Sequence, residues 1–439
     1  MITDTDTSIN QLGPAQINSP FLEHQHNTEL MFASDKQHVF IDPTPRQQDA
    51  TSPPASLERA GPRRKIYFDP SKMRAALVTC GGLCPGVNAV IRAIVLELHY
   101  GYGVEQIYGI RFGLQGFIPK YKHDMPVLTP AAVGDIMTKG GSLLGSSRGP
   151  QEIGEIVDCL ERANISALFV IGGDGTLNAS LNIAKMVRER NLKISVVGVP
   201  KTIDNDIYMV SRSFGFDTAV DIATQAVEAA HNEANGFPNG IGLIKLMGRH
   251  SGFIAATTAL AMPDVNIVLI PEVDFDLDGP GGLLEALDKR IESRGHAVIV
   301  AAEGAGQKFF EAAGSDTDAS GNVRLGDIGP FLKERIEAHF AERGIEITLK
   351  YIDPSYIIRS LPANASDQVF CNFLGRNAVH AALSGKTEVL VSHWNDAFVH
   401  VPMQLAAGQR KQVNPGGRLW RNVLSVTGQG PLKSAAPAQ

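Results

Sequence analysis

Short apolar runs alternate with helical patterns along most of the chain. Ala75–Thr79 is an apolar run, and the turn Gly81-Gly82-Leu83-Cys84-Pro85-Gly86 follows it. Val87, Val90, Ile91, Ile94, Val95 and Leu98 then fall on one helical face. The same order recurs: Leu168–Ile171 runs through Gly172-Gly173-Asp174-Gly175-Thr176 into a helix near Leu177–Arg190. Ile194–Val199 leads into Pro200-Lys201-Thr202-Ile203-Asp204-Asn205-Asp206. Further strands are expected at Ile241–Leu246, Val265–Ile270, Ala297–Ala301, Ile345–Ile352 and Glu388–Ser392. Helical patterns near 217–235, 251–262, 281–294, 329–343 and 367–384 separate them. Strands alternating with helices give an α/β fold with mostly parallel sheets flanked by helices on both faces. Such sheets bind ligands beyond the carboxyl ends of their strands, where the glycine turns lie.

Composition narrows the possible partners. A length of 439 residues makes two lobes the expectation. The formal net charge of -6 argues against nucleic acid or an anionic membrane as the main partner. Cys80 and Cys84 have CxxxC spacing, which fits neither zinc nor redox motifs, so these and Cys159 and Cys371 are expected to be reduced thiols. The N-terminus lacks a basic region and an apolar core, no apolar run nears the ~20 residues of a membrane span, and the end is not a peroxisomal address. Cytoplasm is the expected location. Residues 1–60 are polar and aperiodic and read as an extended or partly disordered arm. The segment 311–322 reads as a surface loop or insertion, and 426–439 as a flexible tail.

The strand ends carry residues suited to phosphate binding and proton transfer. Gly81-Gly82 can cradle a phosphate at a helix start, although many such turns merely connect. In Gly172–Thr176, Asp174 can hold Mg2+ while the glycines admit phosphates; the alternative is a turn in which Asp174 caps the next helix. Asp204 and Asp206 share a face if the segment is extended and diverge if it is a loop. One can accept a proton from an attacking hydroxyl while the other orients it or supports a metal. The competing reading is an Asx-rich turn bonding its own backbone. Arg148, in the small-residue loop Gly145–Gly149, either binds an anion or is simply solvated. Arg249, in Met247-Gly248-Arg249, precedes a helix start and can clasp an anion or pair with an acid. Glu303, and Tyr356 with Arg359, end two further strands. No Walker A motif occurs: Gly140–Ser147 has serines where Lys and Ser/Thr must follow. Protein-kinase signatures are also missing.

Together TCGGLCPGVN, GGDGT, PKTIDND, MGRHSG, AEGAG and YIDPSYIIRS, in this order from about residue 79 to 360, resemble the phosphofructokinase family. The resemblance extends over about residues 58–425, and LERAGPRRKIYFDP is similar to the plant and trypanosomatid ATP-dependent branch. It implies two Rossmann-like lobes with the active site in the cleft between them. The nucleotide-binding lobe is expected at 61–210, with C-terminal segments allowed to return to it, and the sugar-phosphate lobe at 211–425. The implied reaction moves the γ-phosphate of ATP to the 1-hydroxyl of fructose 6-phosphate, a step of glycolysis, with Mg2+ as cofactor. On this resemblance Gly82, Arg148, Gly149, Gly173, Asp174, Gly175 and Thr176 bind the nucleotide, and Asp174 holds the metal. Asp204 is the base, Asp206 supports metal and base, and Thr202 contacts the reacting end. Met247, Gly248, Arg249 and Glu303 line the sugar site with Thr202, Ile203 and Asp204, while Tyr356 and Arg359 hold the 6-phosphate. Arg148 and Arg249 stabilise charge on the transferring group. A homotetramer or dimer and allosteric control are also implied.

Several positions depart from the short bacterial pattern. An arginine lent by a neighbouring subunit falls at Gly240, and a second at Lys350, which keeps the charge without the bidentate fork. A histidine of the sugar-phosphate motif becomes Tyr356, and a tyrosine near adenine becomes Leu114. Pyrophosphate users place an acid where Gly175 stands, crowding the α-phosphate of ATP. Lys201 is common in pyrophosphate users, yet the plant and trypanosomatid ATP enzymes combine it with this glycine. ATP is the expected donor, with pyrophosphate the alternative. Other GGDGT kinases, of NAD or lipids, lack PKTIDND, MGR and DPSYIIR. A non-catalytic sensor predicts a lost base or metal ligand, whereas Asp174, Asp204 and Asp206 are all present.

Overall fold

The computed structural model describes residues 6–22, 32–43, 54–310 and 323–433. The segment 311–322 lies outside the described residues. The strands of the two main sheets, in chain order, are β1 (His38–Phe40), β2 (Ser56–Arg59), β3 (Arg74–Thr79), β4 (Gln106–Ile110), β5 (Ala167–Gly172) and β6 (Ser195–Pro200). They continue with β7 (Gly240–Leu246), β8 (Ile267–Leu269), β9 (His296–Ala302), β10 (Thr348–Ile352), β11 (Val389–Trp394) and β12 (Ala397–Pro402). The principal helices are α1 (Val87–Leu96), α2 (Ile153–Arg162), α3 (Asp174–Glu189), α4 (Phe216–Asn235) and α5 (Phe253–Ala261). After them come α6 (Leu283–Arg294), α7 (Ile328–Glu342), α8 (Ser355–Ser360), α9 (Ala365–Leu383) and α10 (Arg418–Thr427).

The chain divides into two units: Met1–Ile203 with Ile207–Gly215 and Ser360–Arg410, and Asp204–Asp206 with Phe216–Arg359 and Lys411–Gln439. The first holds an eight-stranded sheet in the order β1-β2-β12-β11-β6-β5-β3-β4. From β4 to β11 neighbouring strands run parallel, and β12, β2 and β1 extend the sheet antiparallel. Every residue of β5 and β6 is buried, as expected of parallel strands covered on both faces. Leu177, Ile183 and Val187 recur at helical spacing along α3 and pack into the core with Leu168, Val170 and Val196. The second unit holds a four-stranded parallel sheet, β8-β9-β7-β10. Its core gathers Leu243, Ile299, Leu287 and Ile336. The fold is α/β.

The structure groups 360–410 with the first unit; the sequence gives the second lobe as 211–425 and allows C-terminal segments to return to the first. The cause is the parallel pairing of β11 with β6, which draws residues 360–410 back to the first sheet. The hairpin β11–β12 turns at Asn395 and Asp396, with φ of 47° and 58°, the pair of left-handed residues that a two-residue hairpin turn requires.

The described parts of the arm are ordered by long-range contacts. Asn10–Gln11 pairs with Lys386–Thr387, and Ile17–Asn18 with Lys65–Ile66. Glu58 on β2 accepts from His400 Nδ1 at 2.8 Å and from Lys386 Nζ at 2.9 Å, and Arg63 adds a bond of 2.6 Å. Burial pushes the Glu58 carboxyl up, but His400 and Lys386 outweigh it and hold the group at about 2. Phe21 packs edge-on against Tyr102 and His380, whose Nδ1 lies 2.9 Å from the Tyr102 hydroxyl. Likewise Gln429, in the segment expected to be a flexible tail, bonds both the N–H and C=O of Val268 and so continues the edge of β8.

Candidate active site

In the first unit, β3, β5 and β6 lie side by side, and their carboxyl ends bring four of the expected features together. Ser146 donates to the Gly81 carbonyl at 2.6 Å, and Thr79 donates to the Gly145 carbonyl at 2.6 Å. These bonds fix the base of the Gly145–Gly149 loop on the first glycine turn, and Arg148 in that loop is exposed. Lys201 is buried and donates through Nζ to the Gly82 carbonyl, while its N–H bonds Gly172 at 2.9 Å. Gly173 caps α3, so Asp174 is the first helical residue, where the dipole favours a negative group. The Asp174 carboxylate accepts from the Gly408 N–H at 2.8 Å and stands 4.0 Å from Arg410 Nη2. Gly175 is exposed, and a Cβ built on it meets no described atom within 4 Å. Thr176 is buried and accepts through its carbonyl from Ser180 Oγ at 2.8 Å.

The loop after β6 alternates in burial. Lys201, Ile203, Asn205 and Ile207 are buried, and Thr202, Asp204 and Asp206 are half-buried. The chain is not simply extended, because Asn205 has φ 55° and turns it between the two acids. The Thr202 carbonyl accepts from Ser213 Oγ at 2.7 Å. In the second unit the Asp204 carbonyl accepts from Ser251 Oγ at 3.3 Å, and the Asp206 carbonyl from the Lys411 N–H at 2.8 Å.

The second unit gathers Met247, Gly248, Arg249 and Glu303 at the carboxyl ends of β7 and β9. Glu303 N–H bonds the Leu246 carbonyl at 2.9 Å, and Gly304 N–H the Gly248 carbonyl at 3.1 Å. Gly248 has φ 127°, and a Cβ on Gly304 would lie 2.0 Å from the Arg249 carbonyl, so both glycines are needed for this close approach. Burial pushes the Glu303 carboxyl up, opposed by Arg249 and Lys245. Arg249 donates to the Val323 carbonyl. Tyr356 is exposed on α8, and the Arg359 guanidinium lies 4.6 Å from its ring centroid.

Lys350 is not brought to this cluster within the chain. It sits in register with Gly242, four residues before the end of β7, with its ammonium 3.8 Å from Glu233. Gly240 cannot carry a side chain without rearrangement, because a Cβ there would lie 1.9 Å from the Ala234 carbonyl. Leu114 is buried in the hydrophobic core of the first unit.

Three basic residues near these features escaped the sequence reading. Arg410 pairs its backbone with Ile207, which sets its side chain beside Asp174. Lys411 lies over the Phe253 ring at 5.0 Å, and burial pushes its ammonium down to about 8 against the opposing Asp206 carboxylate. Lys245 bonds Asp327 and Asp353 at 2.9 Å each. Arg410 and Lys411 sit in a glycine- and glutamine-containing segment with no periodicity, so no sequence signal marked them.

Among the described residues no group of three or more His, Cys, Asp or Glu side chains could hold a metal. Asp174 offers a single carboxylate, with the Gly408 N–H on Oδ1 and Arg410 Nη2 4.0 Å from Oδ2, so a cation held there would take its other ligands from phosphate and water.

A family model described as Phosphofructokinase matches residues 74–382. The chain belongs to the phosphofructokinase family. It is 51% identical over 437 residues to an ATP-dependent 6-phosphofructokinase of Borreliella burgdorferi, covering 97% of each chain. It is 40% identical to an ATP-dependent 6-phosphofructokinase of Trypanosoma cruzi, covering 97% of this chain and 88% of that one. The chloroplastic ATP-dependent 6-phosphofructokinase 5 of Arabidopsis thaliana is 49% identical over 85% of this chain and 69% of its own. Among solved structures, a pyrophosphate-dependent phosphofructokinase of Marinobacter aquaeolei matches with a TM-score of 0.66, covering 84% of this chain and 94% of that one. At 22% identity that likeness concerns the phosphofructokinase fold alone. No helix among the described residues is long and apolar enough to cross a membrane.

Proposed function

We propose that this phosphofructokinase transfers the γ-phosphate of ATP to the 1-hydroxyl of fructose 6-phosphate. The observation that carries this reading is the convergence of the Gly81-Gly82 turn, the Arg148 loop and the start of α3 at three adjacent strand ends, the third of which continues into the two-carboxylate loop. Glycine backbone at a helix start suits the nucleotide phosphates, with Gly82, Gly149, Gly173 and Thr176 lining the approach. Mg2+ held by Asp174 would neutralise charge on those phosphates. Asp204 takes the proton of the sugar hydroxyl, Asp206 orients it, and Thr202 holds the reacting end. Arg148 and Arg249 offset charge on the transferring group. In the second unit Met247, Gly248 and Glu303 hold the sugar, and Tyr356 and Arg359 its 6-phosphate. Lys350, turned to Glu233, is reserved for a partner subunit in a homotetramer or dimer.

ATP rather than pyrophosphate is supported by the open space at Gly175. Lys201, the residue that pointed toward pyrophosphate, is buried against the Gly82 carbonyl, which supports a role in shaping the turn. Purified protein given fructose 6-phosphate and Mg2+ should form product with ATP and none with pyrophosphate. Product with pyrophosphate alone would reverse the donor assignment, and none with either would favour a sensor. Gly175→Asp should raise KM for ATP by roughly ten-fold or more through charge repulsion, with KM for fructose 6-phosphate little changed. Unchanged ATP kinetics would remove the steric argument.

A further inference from the structure

A lysine next to the last residue of an otherwise buried parallel strand needs a reason. Lys245 lies on β7 two residues before Met247, and its side chain is 12% exposed. Its ammonium stands 2.9 Å from Asp327 Oδ1 and 2.9 Å from Asp353 Oδ2. Burial alone would pull this ammonium down, but the two carboxylates hold it above the ordinary lysine range, so it is a cation.

Asp353 uses its other oxygen differently. Oδ1 accepts from the Ser355 N–H at 3.1 Å and from Ser355 Oγ at 2.5 Å, fixing the first residue of α8. That helix carries Tyr356 and Arg359. The chain of bonds therefore runs from β7, through Lys245 and Asp353, to the start of the helix assigned to the sugar 6-phosphate. Glu303 and Arg249 feel the same charges, since both Arg249 and Lys245 favour the ionised Glu303. The acids Glu303, Asp327 and Asp353 are matched by Lys245, Arg249 and Arg359. Removing Lys245 would take from Asp353 the ammonium that holds it at the start of α8.

We propose that Lys245 is a positioning residue for the sugar phosphate, anchoring α8 through Asp353. This rests on the assignment of Tyr356 and Arg359 to the 6-phosphate. The test compares Lys245→Met, Lys245→Arg, Asp353→Asn and Arg359→Ala in the full-length protein. Lys245→Met should raise KM for fructose 6-phosphate by roughly ten-fold or more, with kcat and KM for ATP within about two-fold. Lys245→Arg should restore most of the affinity, because it keeps the charge. Asp353→Asn should give the same split, and it serves if Lys245→Met fails to fold. Calorimetric titration with fructose 6-phosphate should show the same loss. A merely structural lysine would lower thermal stability and shift both substrates alike, and that result would overturn the inference. So would an unchanged KM for fructose 6-phosphate alongside a raised one in Arg359→Ala. If Arg359→Ala also leaves it unchanged, the 6-phosphate assignment itself fails and the inference with it.

Discussion

Asp204→Ser should lower kcat by roughly two to four orders of magnitude, the contribution expected of a general base. Fructose 6-phosphate should still bind within a few-fold. The expectation follows from how the loop is held. Lys201 and Thr202 are fixed by bonds to Gly172, Gly82 and Ser213, and the Asp204 backbone carbonyl by Ser251. None of these involves the Asp204 carboxylate, so serine removes the proton acceptor while the scaffold persists. Steady-state kinetics give kcat, and calorimetry gives the sugar-phosphate affinity. If turnover stays within ten-fold, the base lies elsewhere, and Asp206, the other half-buried acid of the loop, is the next candidate. If binding collapses in parallel, Asp204 is holding the sugar rather than taking its proton.

Lys386→Met should destabilise the protein by about 3–5 kcal/mol, the usual cost of breaking a buried ion pair by removing one partner. Lys386 is 1% exposed and its ammonium meets Glu58 at 2.8 Å and Asp35 at 3.2 Å. Methionine fills much of the same volume but leaves the Glu58 carboxylate with less compensation. Removing both charges together, as in Lys386→Met with Glu58→Leu, should recover part of the loss. Chemical denaturation of the variants checks both statements, and additive losses would show that the two groups are not coupled.

The same cluster predicts acid lability. Glu58 is held at about 2 in the fold against an ordinary 4.5, so its contribution is complete above pH 4.5 and disappears as the pH falls towards 2. His380 is pushed down to about 3 by burial, so the folded state keeps it neutral while the unfolded chain binds a proton below pH 6.5. Stability should therefore fall as the pH drops below about 6.5, and more steeply below about 4.5. A flat Tm between pH 7 and 4.5 would contradict the His380 assignment, and no steeper fall between pH 4.5 and 2 that of Glu58.

Much of the fold and of the candidate site was legible in the sequence, and the parts that were not share one cause. The strands at 167–172, 195–200 and 240–246 and the helix at 216–235 announce themselves by period, since each buries its residues through neighbours a few positions away. So do the glycine turns and the acids that follow them, because a strand end followed by a helix start fixes where Asp174 and Gly175 must stand. β4 and β12 were missed: QIYGI is interrupted by glycine, and β12 gains its order from β11 and β2 rather than from its own pattern. The N-terminal arm read as loose because its anchoring charges look polar until Lys386, 328 residues further on, is brought beside Glu58. Arg410, Lys411 and Lys245 have the same character. Local periodicity and turn chemistry act over a few residues, so the sequence alone determined most of the elements, their order and the glycine and carboxylate motifs. Which distant charges meet is set only when the sheets assemble, and the tertiary structure alone decided that Arg410 faces Asp174 and that Lys245 ties β7 to α8.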